Sequence, residues 1–257
     1  MRIVIKVGTS TLAHATGHVN IRHMENLVKV LSDLKNAGHE IILVSSGAIA
    51  MGIGKMNLPG RPEDIPGKQA AAAVGQCELM YTYDRLFSEY NHTVAQILLT
   101  ADDVENDTRR ANFENTMERL LKLHVLPVIN ENDTIGTAEI RVGDNDTLAA
   151  IVAESVRADL LILLSDIDGL YTADPREDAG AELIPVVEKI TPEIEALAGG
   201  EGSLLGTGGM ITKLRAAKRV TEMGCDMVIM NGDHVVLLYD LLEGKRIGTR
   251  FVGKKQA

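Results

Sequence analysis

Residues 125–146 read VLPVINENDTIGTAEIRVGDND and contain two polar clusters separated by a short segment. It begins as an apolar strand at residues 125–129, which ends in an acid and amide cluster at residues 130–133. A second cluster, residues 143–146, opens an apolar helix. Between them, residues 134–142 alternate in part, which predicts a small hairpin.

Each cluster taken alone is typical of an Asx turn or a helix cap, because Asn, Asp and Gly favour those positions. Together they flank one buried strand, which favours a single pocket lined by carboxylates and amides. Such a pocket suits a cationic or hydrogen-bonding ligand better than a bare phosphate.

Apolar runs of strand length alternate with helical patterns along the rest of the chain. The predicted strands are Arg2–Val7, Glu40–Ser45, Val94–Leu99 and residues 125–129, 160–164 and 227–230. The predicted helices are residues 21–37, 68–88, 112–123, 147–156 and 212–223. Apolar strands separated by helices predict an α/β fold, with a mainly parallel sheet covered by helices on both faces. Ligands of such folds collect at the carboxyl ends of the strands.

Several glycines and prolines mark the ends of these elements. Gly38 and Gly224 follow helices as left-handed caps would, and Thr191-Pro192 reads as an N-cap followed by the first helical position. Residues 51–66, rich in Gly and Pro, predict a surface loop close to the site.

Polar residues also occur at the ends of other predicted strands. Lys6 lies inside the apolar first strand, where a charge is costly unless it reaches an anion; a lysine that extends to solvent at the sheet edge is the alternative. Ser46 follows the second strand, either in a site or in a plain strand-to-helix turn. Ser165 and Asp166 follow the fifth strand.

A glycine-rich segment, residues 198–209, leads into a helix that begins at Met210 or Ile211, with Lys213 in its first turn. Free N–H groups at such a helix start bind phosphate, although a flexible linker is the alternative reading. Neither GxxxxGK[ST] nor GxGxxG occurs, so the P-loop and dinucleotide-binding fingerprints are absent from the sequence.

Composition excludes several classes of protein. The net charge of −10 argues against a nucleic-acid surface, and no apolar run approaches the length of a membrane span. The start, MRIVIKVGTS, reads as a strand rather than a signal peptide, so we expect a cytoplasmic protein.

Cys77 and Cys225 belong to no metal-ligand spacing and are predicted to be reduced core residues. We see no clean domain boundary, so we expect one domain with two lobes.

These motifs together resemble the amino-acid kinase family, and most closely its glutamate-phosphorylating branch. The matching blocks fall in order and span nearly the whole chain: IKVGTS (5–10), VSSGAIAMG (44–52), KQAAAAVGQ (68–76), PVINENDTI (127–135), EIRVGDNDTLAA (139–150), LLSDIDGLYTADPR (163–176) and GTGGMITKLRAA (206–217).

The resemblance implies phosphorylation of the γ-carboxylate of L-glutamate by ATP with Mg²⁺, the first step of proline synthesis. It implies a three-layer α-β-α sandwich, with an amino-acid lobe at about residues 1–150 and a nucleotide lobe at 151–257. A homodimer or homotetramer and feedback inhibition by L-proline, through residues 51–76, are further implications. Many members carry an additional carboxyl-terminal PUA domain, which we expect to be absent because the sequence ends at Ala257.

The resemblance also carries roles over to individual residues. Lys6 and Lys213 resemble two lysines that bracket the transferred phosphoryl group, and Asp146 resembles the acid that holds both. Ser46, Asp133 and Asn145 match positions that bind glutamate. The nucleotide-binding positions match Lys6, Ser165, Asp166, Thr207, Gly208, Gly209, Met210, Ile211, Thr212 and Lys213. No residue is assigned to a metal, because Mg²⁺ is expected to rest on phosphates and water.

Physical chemistry supports these roles. A carboxylate nucleophile is already ionised at neutral pH, so no general base is needed, and none of the seven histidines lies in a candidate motif. Two cations are expected to reduce the repulsion between the anionic carboxylate and the anionic phosphate, with Asp146 fixing the geometry of the cations. Asp133 is expected to accept from the ammonium of glutamate, while Ser46 and Asn145 hydrogen-bond its carboxylates.

Two other readings remain open at this point. A related enzyme could phosphorylate aspartate, N-acetylglutamate or carbamate, although N-acetylglutamate lacks the ammonium that would need Asp133. A catalytically silent sensor of amino acids or nucleotides is the second, but a sensor has no need of both lysines and Asp146.

Overall fold

The computed structural model describes residues 1–14, 16–136, 145–198 and 209–254. Within these residues, eight strands form one sheet in the order β3-β4-β2-β1-β5-β7-β8-β6. The strands are β1 (Arg2–Val7), β2 (Glu40–Ser45), β3 (Val94–Leu99), β4 (Leu126–Glu131), β5 (Leu160–Ser165), β6 (Val186–Val187), β7 (Asp226–Asn231) and β8 (Thr249–Phe251).

Helices connect the strands and cover both faces of the sheet. They are α1 (Thr9–Leu12), α2 (Ile21–Asn36), α3 (Ala48–Lys55), α4 (Ile65–Ser88), α5 (Ala101–Glu105), α6 (Asp107–Lys122), α7 (Asn145–Ser155), α8 (Pro192–Leu197), α9 (Met210–Glu222) and α10 (Leu237–Leu242), with a short 3₁₀ helix at Gly232–His234. None of the helices in these described ranges has the length and hydropathy needed to cross a bilayer.

The six strands from β3 to β7 in the sheet order run parallel, and only β8 pairs antiparallel with β7. The predicted three-layer α/β fold is therefore confirmed. The chain passes from β1 to β2 on one side and from β5 to β7 on the other. The carboxyl ends of β1 and β5 thus form the switch point at which open sheets of this type bind ligands.

Alternation along β1 assigns its side chains to two different cores. Ile3, Ile5 and Val7 belong to the core beneath α2, α4 and α10, whereas Val4 belongs to the core beneath α6, α7 and α9. Successive side chains of a strand point to opposite faces, so Lys6 shares the face of Val4. This register directs Lys6 toward α7 and α9.

The close packing of α3 on α4 shapes one side of the site. A Cβ on Gly52 would lie 1.8 Å from the carbonyl oxygen of Ala71, and one on Gly75 would lie 1.7 Å from that of Ala48. Glycine at both positions therefore lets the two helix backbones touch. The prediction of a loop over residues 51–66 is wrong at both ends, because α3 extends to Lys55 and α4 begins at Ile65.

Strand β4 extends two residues further than predicted, so Asn130 and Glu131 are strand residues rather than the start of a turn. The helices predicted to begin at residues 68, 112, 147 and 212 begin earlier in the structure. Their first residues precede the apolar pattern from which the starts were predicted. The caps were predicted correctly: Gly38 and Gly224 have φ of +94° and +90°, and the Thr191 side chain accepts from Ile194 N.

Two further predictions concern the cysteines and the hairpin. Cys225 is buried as predicted, but the prediction of a core position for Cys77 is wrong, since its α4 position faces solvent. The predicted hairpin at residues 134–142 falls mostly outside the described residues, which stop at residue 136 in this region.

Candidate active site

Three charged side chains from distant parts of the sequence meet at the carboxyl end of β1. Lys6 Nζ lies 2.8 Å from Asp146 Oδ1, and Lys213 Nζ lies 2.9 Å from Asp146 Oδ2. One carboxylate therefore ion-pairs with two ammonium groups, one on each oxygen. The structure brings together the three residues predicted to be catalytic.

The secondary structure fixes this arrangement. Lys6 is the penultimate residue of β1, and its register places it between Val44 of β2 and Leu163 of β5. Asp146 and Lys213 lie in the first turns of α7 and α9, which pack on the same face of the sheet. Two helix N-termini thus point toward the end of one strand, which favours binding of anions there.

The triad is buried. Asp146 is 1% exposed and Lys213 is 6% exposed, and Lys6 is mostly covered. Burial by itself would raise the pKa of Asp146, yet the charges and hydrogen bonds of Lys6 and Lys213 hold that pKa below its ordinary value. Asp146 is therefore ionised in the folded protein.

Helix α9 starts as the glycine-rich pattern predicted. Gly209 is its N-cap residue and Met210 its first residue, and no side chain of the described residues caps this end. Thr212 Oγ1 lies 3.0 Å from Asp146 Oδ2 and 2.8 Å from Gly209 O, so its single proton can serve either acceptor. Ile211 is partly exposed at the same helix start.

The remaining nucleotide-binding candidates divide into two groups. Ser165 is the last residue of β5, and its hydroxyl donates to Asp166 Oδ1 at 3.2 Å. Asp166 also accepts from Arg176 at 3.3 Å and is otherwise largely exposed. Thr207 and Gly208 lie outside the described residues.

A chain of amide hydrogen bonds links the triad to a neighbouring pocket. Asn145 Nδ2 donates to Ser46 Oγ at 2.7 Å and to Asn130 Oδ1 at 3.1 Å. Asn130 Nδ2 in turn donates to Gln76 Oε1 at 3.0 Å. Within the described part of the chain, Asn145 Oδ1 and Gln76 Nε2 are buried and have no hydrogen-bond partner. Buried polar atoms of this kind are normally satisfied, so both are available to a ligand or to water.

This pocket has a volume of about 150 Å³. It is lined by Thr9, Ser46, Gly47, Ala48, Ile49, Ala50, Ile53, Arg61, Asn130, Asp133 and Asn145. Pockets for drug-sized ligands measure roughly 300–1,000 Å³, so this one suits a small metabolite. The lining brings together the three residues predicted to bind the acceptor, Ser46, Asp133 and Asn145.

Helix α3 contributes backbone donors to the pocket wall. Its N-cap residue, Gly47, has φ of +101°, a left-handed conformation that glycine adopts without strain. The first residues of α3 line the pocket, so the free N–H groups of a helix start and the positive end of its dipole lie close to it. This end of the pocket favours a carboxylate.

Two acids of residues 130–133 have raised pKa values. Burial raises the pKa of Asp133 to about 6, against the opposing charge of Arg61. Burial, together with the charges of Asp133 and Asp103, raises the pKa of Glu131 to about 7. Asp133 Oδ1 is buried without a hydrogen-bond partner among the described residues, as expected of a group that awaits a cationic donor.

The residue-level assignments missed three members of this site. Asn130 and Gln76 lie inside the motif blocks that were recognised, and their polar character in otherwise apolar elements was the available signal. Arg61 lies in the Gly/Pro-rich segment, where no pattern of spacing identifies it. Among the described residues, no group of three or more His, Cys, Asp or Glu could hold a metal ion.

The model of the Amino acid kinase family matches residues 1–231. The chain belongs to the amino acid kinase family. It is 53% identical over 258 residues to the glutamate 5-kinase of Clostridium perfringens, covering 99% of this chain and 96% of that protein. It is 52% identical to the glutamate 5-kinase of Listeria welshimeri, covering 100% of this chain and 94% of that protein.

Solved structures of the family share the fold at low sequence identity. Carbamate kinase from Giardia lamblia bound to AMP-PNP has a TM-score of 0.69 at 16% identity and covers 98% of each chain. UMP kinase from Bacillus anthracis has a TM-score of 0.64 at 14% identity, covering 99% of this chain and 96% of that one. These likenesses concern the fold alone, which agrees with the three-layer architecture.

Proposed function

We infer that this protein transfers the γ-phosphoryl group of ATP to the γ-carboxylate of L-glutamate, forming γ-glutamyl phosphate for proline biosynthesis. Relatives named glutamate 5-kinase, about half identical over nearly the whole chain, support this activity. The observation that carries the chemistry is the ion triad of Lys6, Asp146 and Lys213 beside a small polar pocket.

The triad suits a reaction between two anions. An oxygen of the γ-carboxylate attacks the γ-phosphorus, the bond to the β-phosphate oxygen breaks, and ADP leaves, with no proton to be transferred. Lys6 and Lys213 place positive charge where the equatorial phosphoryl oxygens gather charge. An ammonium group has three N–H donors, so Lys6 can contact Asp146 and a phosphate oxygen together.

Asp146 acts through the lysines. Its two oxygens hold the two ammonium groups in one arrangement before the substrates bind. Preorganised charge of this kind costs no reorganisation during the reaction. We therefore assign Asp146 a positioning role and Lys6 and Lys213 the contacts with the transferred group.

The acceptor pocket supplies complementary groups for glutamate. Asn145 directly precedes Asp146 in the sequence and hydrogen-bonds Ser46, so both side chains lie next to the triad. They are therefore assigned to the γ-carboxylate. Asp133 is assigned to the ammonium, since its buried Oδ1 has no partner among the residues that the structure describes and is a ready acceptor. This assignment favours an α-amino acid over N-acetylglutamate and carbamate, which lack that ammonium.

The nucleotide is assigned to the other side of β1. Ser165 and Asp166 at the end of β5, and residues 209–213 at the start of α9, border that side. This division corresponds to an acceptor lobe at about residues 1–150 and a nucleotide lobe at 151–257. Both oxygens of Asp146 are already engaged by lysines, so Mg²⁺ is assigned to the phosphates of ATP and to water. When bound, it neutralises phosphate charge.

A hydroxamate assay with ATP tests the reaction class and the acceptor together. Hydroxylamine traps an acyl phosphate, so L-glutamate should give product while L-aspartate, N-acetyl-L-glutamate and carbamate should give little. Turnover of another acid in preference to glutamate would overturn the acceptor assignment. Absence of ATP turnover with every acid would favour a non-catalytic sensor.

We further propose that L-proline inhibits at or overlapping the acceptor pocket and that the protein forms a homodimer or homotetramer. Ile53 and Arg61 line the pocket, so the segment 51–76 is placed to affect inhibitor binding. A proline titration at subsaturating glutamate tests the inhibition, and no loss of rate would remove it. Light scattering measures the assembly, and a monomer would contradict that part.

A further inference from the structure

The acceptor pocket contains one acid and one base among the described residues that line it. These are Asp133 and Arg61, and the other lining residues are polar or apolar but uncharged. An α-amino acid also carries one positive and one negative group, both attached to its α-carbon. The pocket therefore offers an opposite charge for each.

Asp133 and Arg61 line the same pocket without forming an ion pair in the described structure. Arg61 forms no hydrogen bond or ion pair there, while Asp133 leaves Oδ1 unpartnered. The positive charge of Arg61 nevertheless lowers the pKa of Asp133, against the larger, raising effect of burial. Two opposite charges that line one pocket without pairing leave room for a zwitterion between them.

The two ends of the pocket differ in what lies next to them. At the inner end, Asn145 precedes Asp146 in α7 and hydrogen-bonds Ser46, so the phosphoryl-transfer triad is adjacent. At the outer end, Arg61 also lines two neighbouring surface depressions together with residues 58–60. A glutamate that presents its γ-carboxylate to the triad thus directs its α-carboxylate toward Arg61.

We propose that Arg61 binds the α-carboxylate of the acceptor and, together with Asp133, makes the pocket specific for the zwitterionic head of an α-amino acid. This assignment rests on the proposed glutamate kinase activity. It gives the Gly/Pro-rich segment between α3 and α4 a role in substrate choice. A guanidinium suits this task, because it donates two parallel hydrogen bonds to one carboxylate.

A thermodynamic cycle isolates the contact between Arg61 and the α-carboxylate by removing the charge of each one separately. The protein change is Arg61→Ala, and the ligand change replaces L-glutamate by L-isoglutamine, in which the α-carboxylate is an uncharged carboxamide. Calorimetry on the whole protein with a non-hydrolysable ATP analogue measures the four dissociation constants. We expect Arg61→Ala to weaken L-glutamate about 10- to 100-fold and to change L-isoglutamine less than threefold, as for a lost charge-assisted hydrogen bond.

Kinetics provide the second readout. Arg61→Ala should raise KM for glutamate while kcat and KM for ATP stay within a few fold, and Arg61→Lys should recover part of the loss. Arg246→Ala removes an exposed arginine that does not line the pocket and should match the wild type.

Equal weakening of both ligands, or no weakening of either, would overturn the proposal. A fall in kcat without a change in KM would do the same, because it would place Arg61 at the phosphoryl group. If wild-type protein phosphorylates glutamate and Arg61→Ala behaves like it, only the Arg61 assignment fails. If wild-type protein turns over no glutamate at all, the proposed function fails first.

Discussion

Lys213 Nζ contacts Asp146 Oδ2 at 2.9 Å, although 67 residues separate them in the sequence. Both lie in the first turn of a helix, and the two helices pack side by side on one face of the sheet. The contact therefore depends on the tertiary packing of α7 against α9. It places a cation at a helix N-terminus, where an anionic ligand gains from both charges.

Lys213→Ala should lower kcat roughly 100- to 1,000-fold, as expected when one preorganised donor to the transition state is lost. The KM for glutamate should change little, because Lys213 does not line the acceptor pocket. Steady-state kinetics with the hydroxamate assay measure both. The matched control is Lys218→Ala, an exposed lysine of the same helix that pairs with Glu195. Unchanged turnover in Lys213→Ala would contradict the assigned role.

Asp146→Asn should destabilise the folded protein by about 3–5 kcal/mol, because two mostly buried ammonium groups lose their carboxylate. Activity should also fall, since the lysines lose their fixed geometry. Urea unfolding gives the free energy, and Glu195→Gln, in an exposed ion pair, is the control with little expected change. An Asp146→Asn protein as stable as the wild type would show that the triad is not held by this acid.

The central sheet could be predicted because its strands are short apolar runs between helical patterns. The β1, β2 and β3 boundaries agree with the sequence prediction, and Lys6 stood out as a charge in such a run. Strands β6 and β8 are only two and three residues long, so no periodicity identifies them. They form through pairing, since β8 pairs with β7 and β6 pairs with β8.

Helix α3 and Arg61 show what the sequence could not provide. The glycines and prolines of residues 51–66, Gly52 and Gly54 among them, suggested a loop, but contact with α4 stabilises the helix because Gly52 permits it. The position of Arg61 depends on the path of residues 56–64 over the pocket, and that path follows from tertiary contacts. The triad residues, by contrast, lie in motifs with fixed spacing.

The kcat/KM for glutamate should depend on the ionisation of Asp133, whose pKa is raised to about 6. Protonation below that pH removes the acceptor for the ammonium, so kcat/KM should be about tenfold lower at pH 5 than at pH 7. Asp133→Asn should raise KM for glutamate and remove this dependence, with KM for ATP nearly unchanged. A pH series of initial rates for both proteins measures this. An effect of the substitution on ATP alone would refute the assignment.

Glu131 should make the folded protein less stable as pH rises. Burial and the charges of Asp133 and Asp103 raise its pKa from 4.5 to about 7. Between these values the folded state keeps the proton that the unfolded state has lost, so stability declines across this window and is lowest above pH 7. Glu131→Gln removes the penalty and should stabilise the protein at pH 8 by about 1–2 kcal/mol, allowing for partial screening by water. The gain should vanish near pH 4.5.

Urea unfolding of both proteins across this range measures the difference, and the exposed Glu188→Gln serves as control. A Glu131→Gln protein that is less stable than the wild type at pH 8 would show that the ionised carboxylate is stabilised by its surroundings.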